Sequence, residues 1–215
     1  MTVTRVSEEA PARTALRRRR TLRGERRREE LLTAVVDHVL EQGVADFSLR
    51  RAARAAGTSH RILGYHFGSA DELLREVLAE IRRPVIEATT QALRAPDADP
   101  IETAWRFFSG RMPTARVLLE VQMLAAKDPE YREIGQDFMR AYLPVVEEAV
   151  SAELDRRRRD DAAALVLAVM RGLLLDARST GQLDRARRAL ELFAEVGTTC
   201  GLLARPGAAG QASRR

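Results

Sequence analysis

The stretch from Phe47 to Leu74, FSLRRAARAAGTSHRILGYHFGSADELL, constrains the chain more than any other. Helix starts and glycine stops follow one another so closely that only short helices at sharp angles can satisfy them. Ser48 can cap a helix over residues 49–56, because its hydroxyl oxygen accepts a bond from an orphan backbone N–H. Gly57 tolerates the left-handed backbone that a sharp helix–helix turn requires. Thr58 or Ser59 can then cap a second short helix carrying His60, Arg61, Ile62, Leu63, Tyr65, His66 and Phe67, which Gly68 ends. Ser69-Ala70-Asp71-Glu72 is a capping box that opens a further helix. Helix, glycine turn, helix is the helix-turn-helix arrangement, whose second helix can enter a DNA major groove.

The flanking sequence completes a headpiece over residues 24–69. From Arg26 to Gln42, Leu32, Val35, Val36, Val39 and Leu40 share a face at helical spacing, and Gly43 stops the helix. Residues 1–23 lack apolar periodicity and carry Arg13, the run Arg17 to Arg20, and Arg23. They are expected to form a disordered basic arm, either a solvated tail or one that follows the DNA backbone or minor groove. After the capping box, Leu73, Leu74, Val77, Leu78 and Ile81 form one stripe, and Pro84 predicts a break or kink at Arg83. No Gly/Ser linker separates the headpiece from the C-terminal part of the chain. The helix from Ala70 therefore belongs to both halves and couples them mechanically.

Residues 70–204 read as helices throughout, with a disordered tail over 205–215. Val85 to Leu93 is short, and Asp99-Pro100-Ile101-Glu102 restarts a helix by a cap, a first-turn proline and a reach-back carboxylate. A further helix covers Thr114 to Ala126. Asp128-Pro129 starts another, running toward Leu154 with a kink at Pro144. Arg156 to Arg159 is read as that helix's C-terminal end, with Asp160-Asp161 opening the next, because cations favour C-termini and anions N-termini. The helix from Asp160 to Ser179 is apolar nearly all round, which calls for burial on more than one side. A second subunit would supply that cover. Val166, Val169, Met170 and Leu173, with Leu190, Phe193 and Gly197 of the last helix (183–203), are the expected four-helix dimer interface.

Composition agrees with this all-α reading. Apolar residues make up 45% and charged residues 31% of the 215, a globular profile. Only 5% are aromatic, and β-branched runs between turns are missing, which excludes sandwiches and barrels. The net charge of +5 favours a polyanionic partner. Lys127 is the only lysine, so the placement of the arginines matters more than their total. Cys200 is the single cysteine; it excludes an intrachain disulfide and is expected to behave as a small apolar residue. The N-terminus has charge without an apolar core, and the longest apolar run, Ala162 to Met170, falls far below the ~20 residues that span a bilayer. A cytoplasmic protein without membrane contact is expected. His38, His60 and His66 are the only histidines, and no phosphate loop, nucleophile elbow or metal-ligand spacing occurs. The expectation is a non-enzyme without cofactor or metal.

Ala53, Ala56-Gly57-Thr58-Ser59, Tyr65-His66-Phe67, Gly68-Ser69 and Glu72-Leu73-Leu74, in this order and spacing, resemble the helix-turn-helix signature of the TetR family of bacterial transcriptional regulators. The resemblance covers about a quarter of the chain. It implies a DNA-binding regulator, by family habit a repressor, that binds a palindromic operator as a homodimer. It also implies a C-terminal half that takes a small molecule and thereby alters the spacing of the two headpieces. Three positions depart from the family pattern: Gly64 replaces a common phosphate-contacting tyrosine, Ala70 replaces a frequent lysine, and Arg61 stands where glycine is common. The alternative is a helical dimeric adaptor that does not bind DNA specifically.

On this reading Thr58, Ser59, His60 and Arg61 face DNA from the first turn of the recognition helix. Arg61 reaches either a guanine edge or a phosphate. Ser48, Arg50, Tyr65 and His66 are candidates for backbone contacts, with packing against the headpiece as the alternative for Tyr65. Ile62, Leu63 and Phe67 are expected in the headpiece core. In the C-terminal half, Trp105, Phe108, Met112, Met123, Phe138, Met139 and Tyr142 line a ligand cavity or form plain core. Arg171 pairs with Asp176 or another acid, or meets an anionic ligand.

Overall fold

The computed structural model describes residues 9–93, 95, 99–109 and 113–204. The chain is all-α. In order, the helices are α1 (Glu9–Gln42), α2 (Leu49–Ala55), α3 (His60–Phe67), α4 (Ala70–Leu93), α5 (Pro100–Ser109), α6 (Pro113–Lys127), α7 (Arg132–Arg140), α8 (Leu143–Glu147), α9 (Arg156–Thr180) and α10 (Leu183–Thr199). A 3-10 turn, Pro129–Tyr131, precedes α7. An isolated antiparallel bridge joins Val150 and Leu203. The chain divides into two compact units. One contains α1 up to His38 together with Phe47–Val77; the other contains Val39–Asp46 and the described residues from Leu78. Both α1 and α4 therefore contribute to each unit as unbroken helices.

In the first unit, Leu31 and Val35 of α1 are buried, as are Ala52, Ala53, Leu63, Phe67, Leu73, Leu74 and Val77. Leu31, Val35 and Val39 recur every fourth residue, so they form the inner edge of the α1 stripe. Helix α1 starts at Glu9, not beyond Arg23, and the expected disordered arm is helical backbone from that point. Arg, Ala and Leu dominate this segment and are strong helix formers, and Pro11 falls in the first turn, where proline is tolerated. The missing apolar periodicity therefore did not mean the absence of a helix. Residues 1–8 and the tail 205–215 lie outside the described residues.

Three other boundaries differ from expectation. Helix α4 passes through Pro84 without ending, with Ile81, Val85 and Thr89 buried on either side of it. The missing hydrogen bond costs about 3 kcal/mol, and a continuous buried stripe on both sides offsets it. The helix expected from Pro129 toward Leu154 is instead the 3-10 turn, α7 and α8, with Pro144 in the first turn of α8. Beyond α8 the chain is tied down by Ser151 N donating to Leu202 O at 3.0 Å and Ala204 N to Ala149 O at 2.9 Å. The arginine run Arg156 to Arg159 opens α9 and does not close the preceding helix. Asp155 decides this: its carboxylate accepts from Arg158 N at 3.0 Å and caps the helix, outweighing the unfavourable charge–dipole placement of the arginines.

In the second unit α9 and α10 form a helical hairpin closed by Gly181 (φ 71°) and by an Arg185–Asp176 ion pair. Helices α6 and α7 approach closely enough that a Cβ on Gly135 would lie 2.6 Å from the Ala125 Cβ. The last turn of α1 and the segment after it are clipped by α6. Arg116 donates to Leu40 O at 2.8 Å, and Val44 N donates to the Glu120 carboxylate at 2.9 Å. The expected dimer residues divide. Val166, Met170, Leu190 and Gly197 are buried by the chain's own second unit, and Val169, Leu173 and Phe193 are half-buried there. A buried side chain has no surface left for a partner. The large apolar residues that α9 and α10 expose are Leu165, Leu175, Leu183, Leu192 and Val196.

Candidate nucleic-acid interface

The turn that presents α3 is built from local hydrogen bonds. Ser48, with extended backbone, accepts from Arg51 N at 3.4 Å and starts α2. Gly57 takes φ 59°, and Thr58 N donates to Ala53 O at 2.9 Å, closing the turn. Ser59, rather than Thr58, is the cap of α3, accepting from Ile62 N at 3.3 Å. Gly68 (φ 77°) ends α3. The capping box then forms in both directions: Glu72 N donates to Ser69 Oγ at 3.2 Å, and Ser69 N to Glu72 Oε2 at 2.7 Å. The Ser69 N–H, and after it the Ser69 hydroxyl, holds the Glu72 carboxyl below its ordinary pKa. The same carboxylate covers Gly68, so a side chain there would collide with it.

Arg28 fixes α3 from behind. Its Nε donates to the His66 carbonyl at 3.2 Å, its Nη2 lies 2.5 and 2.6 Å from the two Glu76 carboxylate oxygens, and its guanidinium stands 4.5 Å from the Phe67 ring centroid. One side chain of α1 thus ties the last turn of α3 to α4, at an end where a cation complements the helix dipole. Sequence reading missed both Arg28 and Glu76. The contacts span 38 and 48 residues, and no local pattern announces them.

Helix α3 buries Leu63 and Phe67 and turns its other faces outward. Arg50, Ser59, His60 and Arg61 are exposed, whereas Ser48, Thr58 and His66 are half-buried. Tyr65 is 85% exposed, which rules out packing against the headpiece. Its ring stands nearly perpendicular to that of His66, with centroids 5.1 Å apart. Ile62, expected in the core, is 44% exposed, because the buried line runs through Leu63 and Phe67 and Ile62 lies a quarter-turn away. Among the described residues His60 and Arg61 have no ion-pair or side-chain hydrogen-bond partner, so their donors are available. Ser48 and Ser59 differ. Their oxygens accept from backbone N–H groups, which leaves each hydroxyl proton for a phosphate oxygen.

The candidate ligand residues scatter within the second unit. Met139 and Arg171 come together on a small slot of about 10 Å³, with Leu118, Leu167, Met170 and Leu174 as its other walls. Arg171 does not pair with Asp176, which is bonded to Arg185. Phe138 and Tyr142 are fully buried and meet edge to face at 5.7 Å, and the Arg82 guanidinium stands 5.7 Å from the Phe138 centroid. Burial drives the Tyr142 phenol well above its ordinary pKa, with nearby Arg82 opposing, and burial lowers that of Arg82. Trp105 is buried in α5 and lines no part of the slot. Met123 is 65% exposed and is corrected to the surface, since it lies on the face of α6 opposite Val117 and Val121. Met112 and the Phe108 side chain lie outside the described residues. The Arg116–Glu120 clip was also missed; its bonds span 76 residues.

No protein-family model matches the chain. Over 74 residues it is 33% identical to the HTH-type transcriptional regulator BetI of Paraburkholderia phytofirmans, a match covering 34% of this chain and 38% of that protein. The chain thus spans less than half the length of the curated relatives it matches. Among solved structures, a protein of Rhodococcus sp. assigned to the TetR family of transcriptional regulators superposes with a TM-score of 0.65 at 18% identity, covering 79% of this chain and 97% of that one. The multidrug binding protein EbrR, complexed with imidazole, superposes with a TM-score of 0.58 at 22% identity over 77% of this chain and 88% of that one. Among the described residues no helix is long and apolar enough to cross a membrane. Over most of its length the chain thus shares the fold of these regulators, and over about a third of it its sequence is similar to that of HTH-type transcriptional regulators.

Proposed function

We propose that the protein is a transcriptional repressor that binds a palindromic DNA operator as a homodimer and is released by a small-molecule effector. The observation that carries DNA binding is the exposed face of α3. His60, Arg61 and Tyr65 stand free in solvent on a helix whose start, end and rear are each fixed by named bonds. Such a helix loses little entropy on entering a groove, and an arginine there offers two parallel donors to a guanine edge or a phosphate. Arg50 and the Ser48 and Ser59 hydroxyls supply backbone contacts beside it. The absence of a side chain at Gly64 and of a cation at Ala70 shifts that burden toward Arg61 and the arginines of α1.

The homodimer reading rests on α9 and α10. Leu165, Leu175, Leu192 and Val196 are each between 45% and 61% exposed. An apolar face of this kind on a helical hairpin matches a two-fold four-helix interface. Effector release is carried over from the family, and the bound small molecule of EbrR supports it. The slot beside Arg171 is the candidate site in this chain. Release requires that the effector bind the free protein more tightly than the operator-bound one.

Fluorescence anisotropy tests the reading, using duplexes from the region upstream of the protein's own coding sequence and a scrambled duplex of equal length. Binding should favour the native duplex, and its log affinity should fall with log salt by roughly 0.9 per phosphate contact. Equal, weak binding to both duplexes would instead support the adaptor reading.

A further inference from the structure

Arg171 interrupts an otherwise apolar stretch of α9, and the way it is held points to a ligand class. Its Nε donates to the Leu167 carbonyl at 2.9 Å and its Nη1 to Gln122 Oε1 at 3.0 Å. Gln122 is itself oriented, donating its Nε2 to the Met139 sulfur at 3.0 Å. A guanidinium carries five N–H donors, so most of them remain unused here. Among the described residues no carboxylate pairs with Arg171. The acid closest to it along the helix, Asp176, is bonded to Arg185. Burial disfavours the charge and lowers the Arg171 pKa, which agrees with a cation that is positioned but not neutralised.

The surroundings complete the site. Leu118, Leu167, Met170 and Leu174 give the slot beside the guanidinium apolar walls, and Met139 is a further one. At about 10 Å³ the slot has room for roughly one water molecule. Met139 and Met170 are unbranched and repack at low cost. Displacing Met139 enlarges the slot and frees the Gln122 amide from a weak sulfur acceptor, so that it can donate to the ligand. A neutral ligand would leave the cation uncompensated, and a small hydrophilic anion would leave the walls unfilled. We propose that this slot binds an organic monocarboxylate with an apolar body, its carboxylate oxygens paired to Arg171 and Gln122. The proposal rests on the effector-responsive reading above and names the ligand class of that site.

The test uses the full chain with octanoate and benzoate as probes, and octanamide and benzamide as matched neutral controls, in calorimetry and thermal-shift assays. At least one acid should bind ten-fold or more tightly than its amide. Arg171→Met should weaken that acid by ten-fold or more while keeping its helicity and its affinity for DNA. Gln122→Leu should weaken it less, and it carries the test if Arg171→Met fails to fold. Equal binding of acid and amide, no binding of either acid, or undiminished binding to Arg171→Met overturns the proposal. A dimer loosened by Arg171→Met in a protein that binds no carboxylate assigns the guanidinium to the subunit interface, which also overturns it. A carboxylate that binds through Arg171 without changing operator affinity leaves the ligand class standing and sinks the effector reading instead.

Discussion

Arg28→Met tests how the recognition helix is held, since methionine keeps most of the apolar stem and removes only the guanidinium. Three interactions are lost together. The Glu76 pair is 39% and 35% exposed on its two sides, so solvent screens it and it is worth about 0.5–1 kcal/mol. The bond to the His66 carbonyl contributes about 1 kcal/mol, and the guanidinium over Phe67 about 0.5–1 kcal/mol. These terms overlap, and the substitution is expected to cost ~1–3 kcal/mol of stability. In a double-mutant cycle with Glu76→Gln, read by urea unfolding, the coupling should be ~0.5–1 kcal/mol and should shrink as salt is raised. Because α3 loses the tie at its C-terminal turn, operator affinity should fall several-fold, up to about ten-fold for each ~1.4 kcal/mol spent on reordering it. A coupling within ~0.3 kcal/mol of zero would show that the pair does not form in solution. The positioning role of Arg28 would then be refuted.

Gly43→Ala should destabilise the chain by ~2–3 kcal/mol in thermal or urea unfolding. Gly43 sits at φ 84°, which costs an L-residue about 1–2 kcal/mol, and the new Cβ meets the Glu120 carboxylate that accepts from Val44 N. Wild-type stability in the variant would contradict the α6 clip. Leu192→Glu places a charge on a residue 61% exposed within the chain, so helicity should persist while sedimentation velocity shows a monomer; a surviving dimer would move the interface elsewhere. The Glu72 carboxyl is held below its ordinary value of 4.5 by the Ser69 N–H and hydroxyl. A depressed folded pKa contributes stability above the unfolded value that is lost as pH falls through the folded one. The melting-temperature gap between wild type and Glu72→Gln should therefore be full near neutrality and close in acid below that range. A gap independent of pH would contradict it.

The headpiece was legible because its signals are local. Ser48, Gly57, Ser59, Gly68 and the Ser69–Glu72 box each act within four residues, and each is found in the bond its sequence position implies. What failed depended on distance or on direction. Arg28, Arg116 and Glu120 act across 38 to 76 residues, beyond any window of the sequence. For α9 the apolar pattern marked a buried helix but could not say which face the chain covers for itself. Val166 and Met170, named for the interface, are buried within the chain, whereas Leu165 and Leu175, not named for it, are exposed. Charge preference at helix ends misplaced the start of α9, because it weighs less than the Asp155 cap. The ligand residues were gathered by chemical type rather than by face. Of its described residues, Met139 and Arg171 meet on one slot.

The central claim is that the exposed face of α3 reads DNA. A footprint with quantitative binding to the native upstream duplex and to single-base variants of it, for wild type and Arg61→Ala, tests this most directly. The account predicts protection of two half-sites related by a two-fold axis, about one helical turn or a multiple of it apart. It also predicts that Arg61→Ala loses ~1–3 kcal/mol against the native duplex or relaxes preference at one base pair in each half-site. An unchanged footprint with unchanged affinity at every position in Arg61→Ala would contradict it.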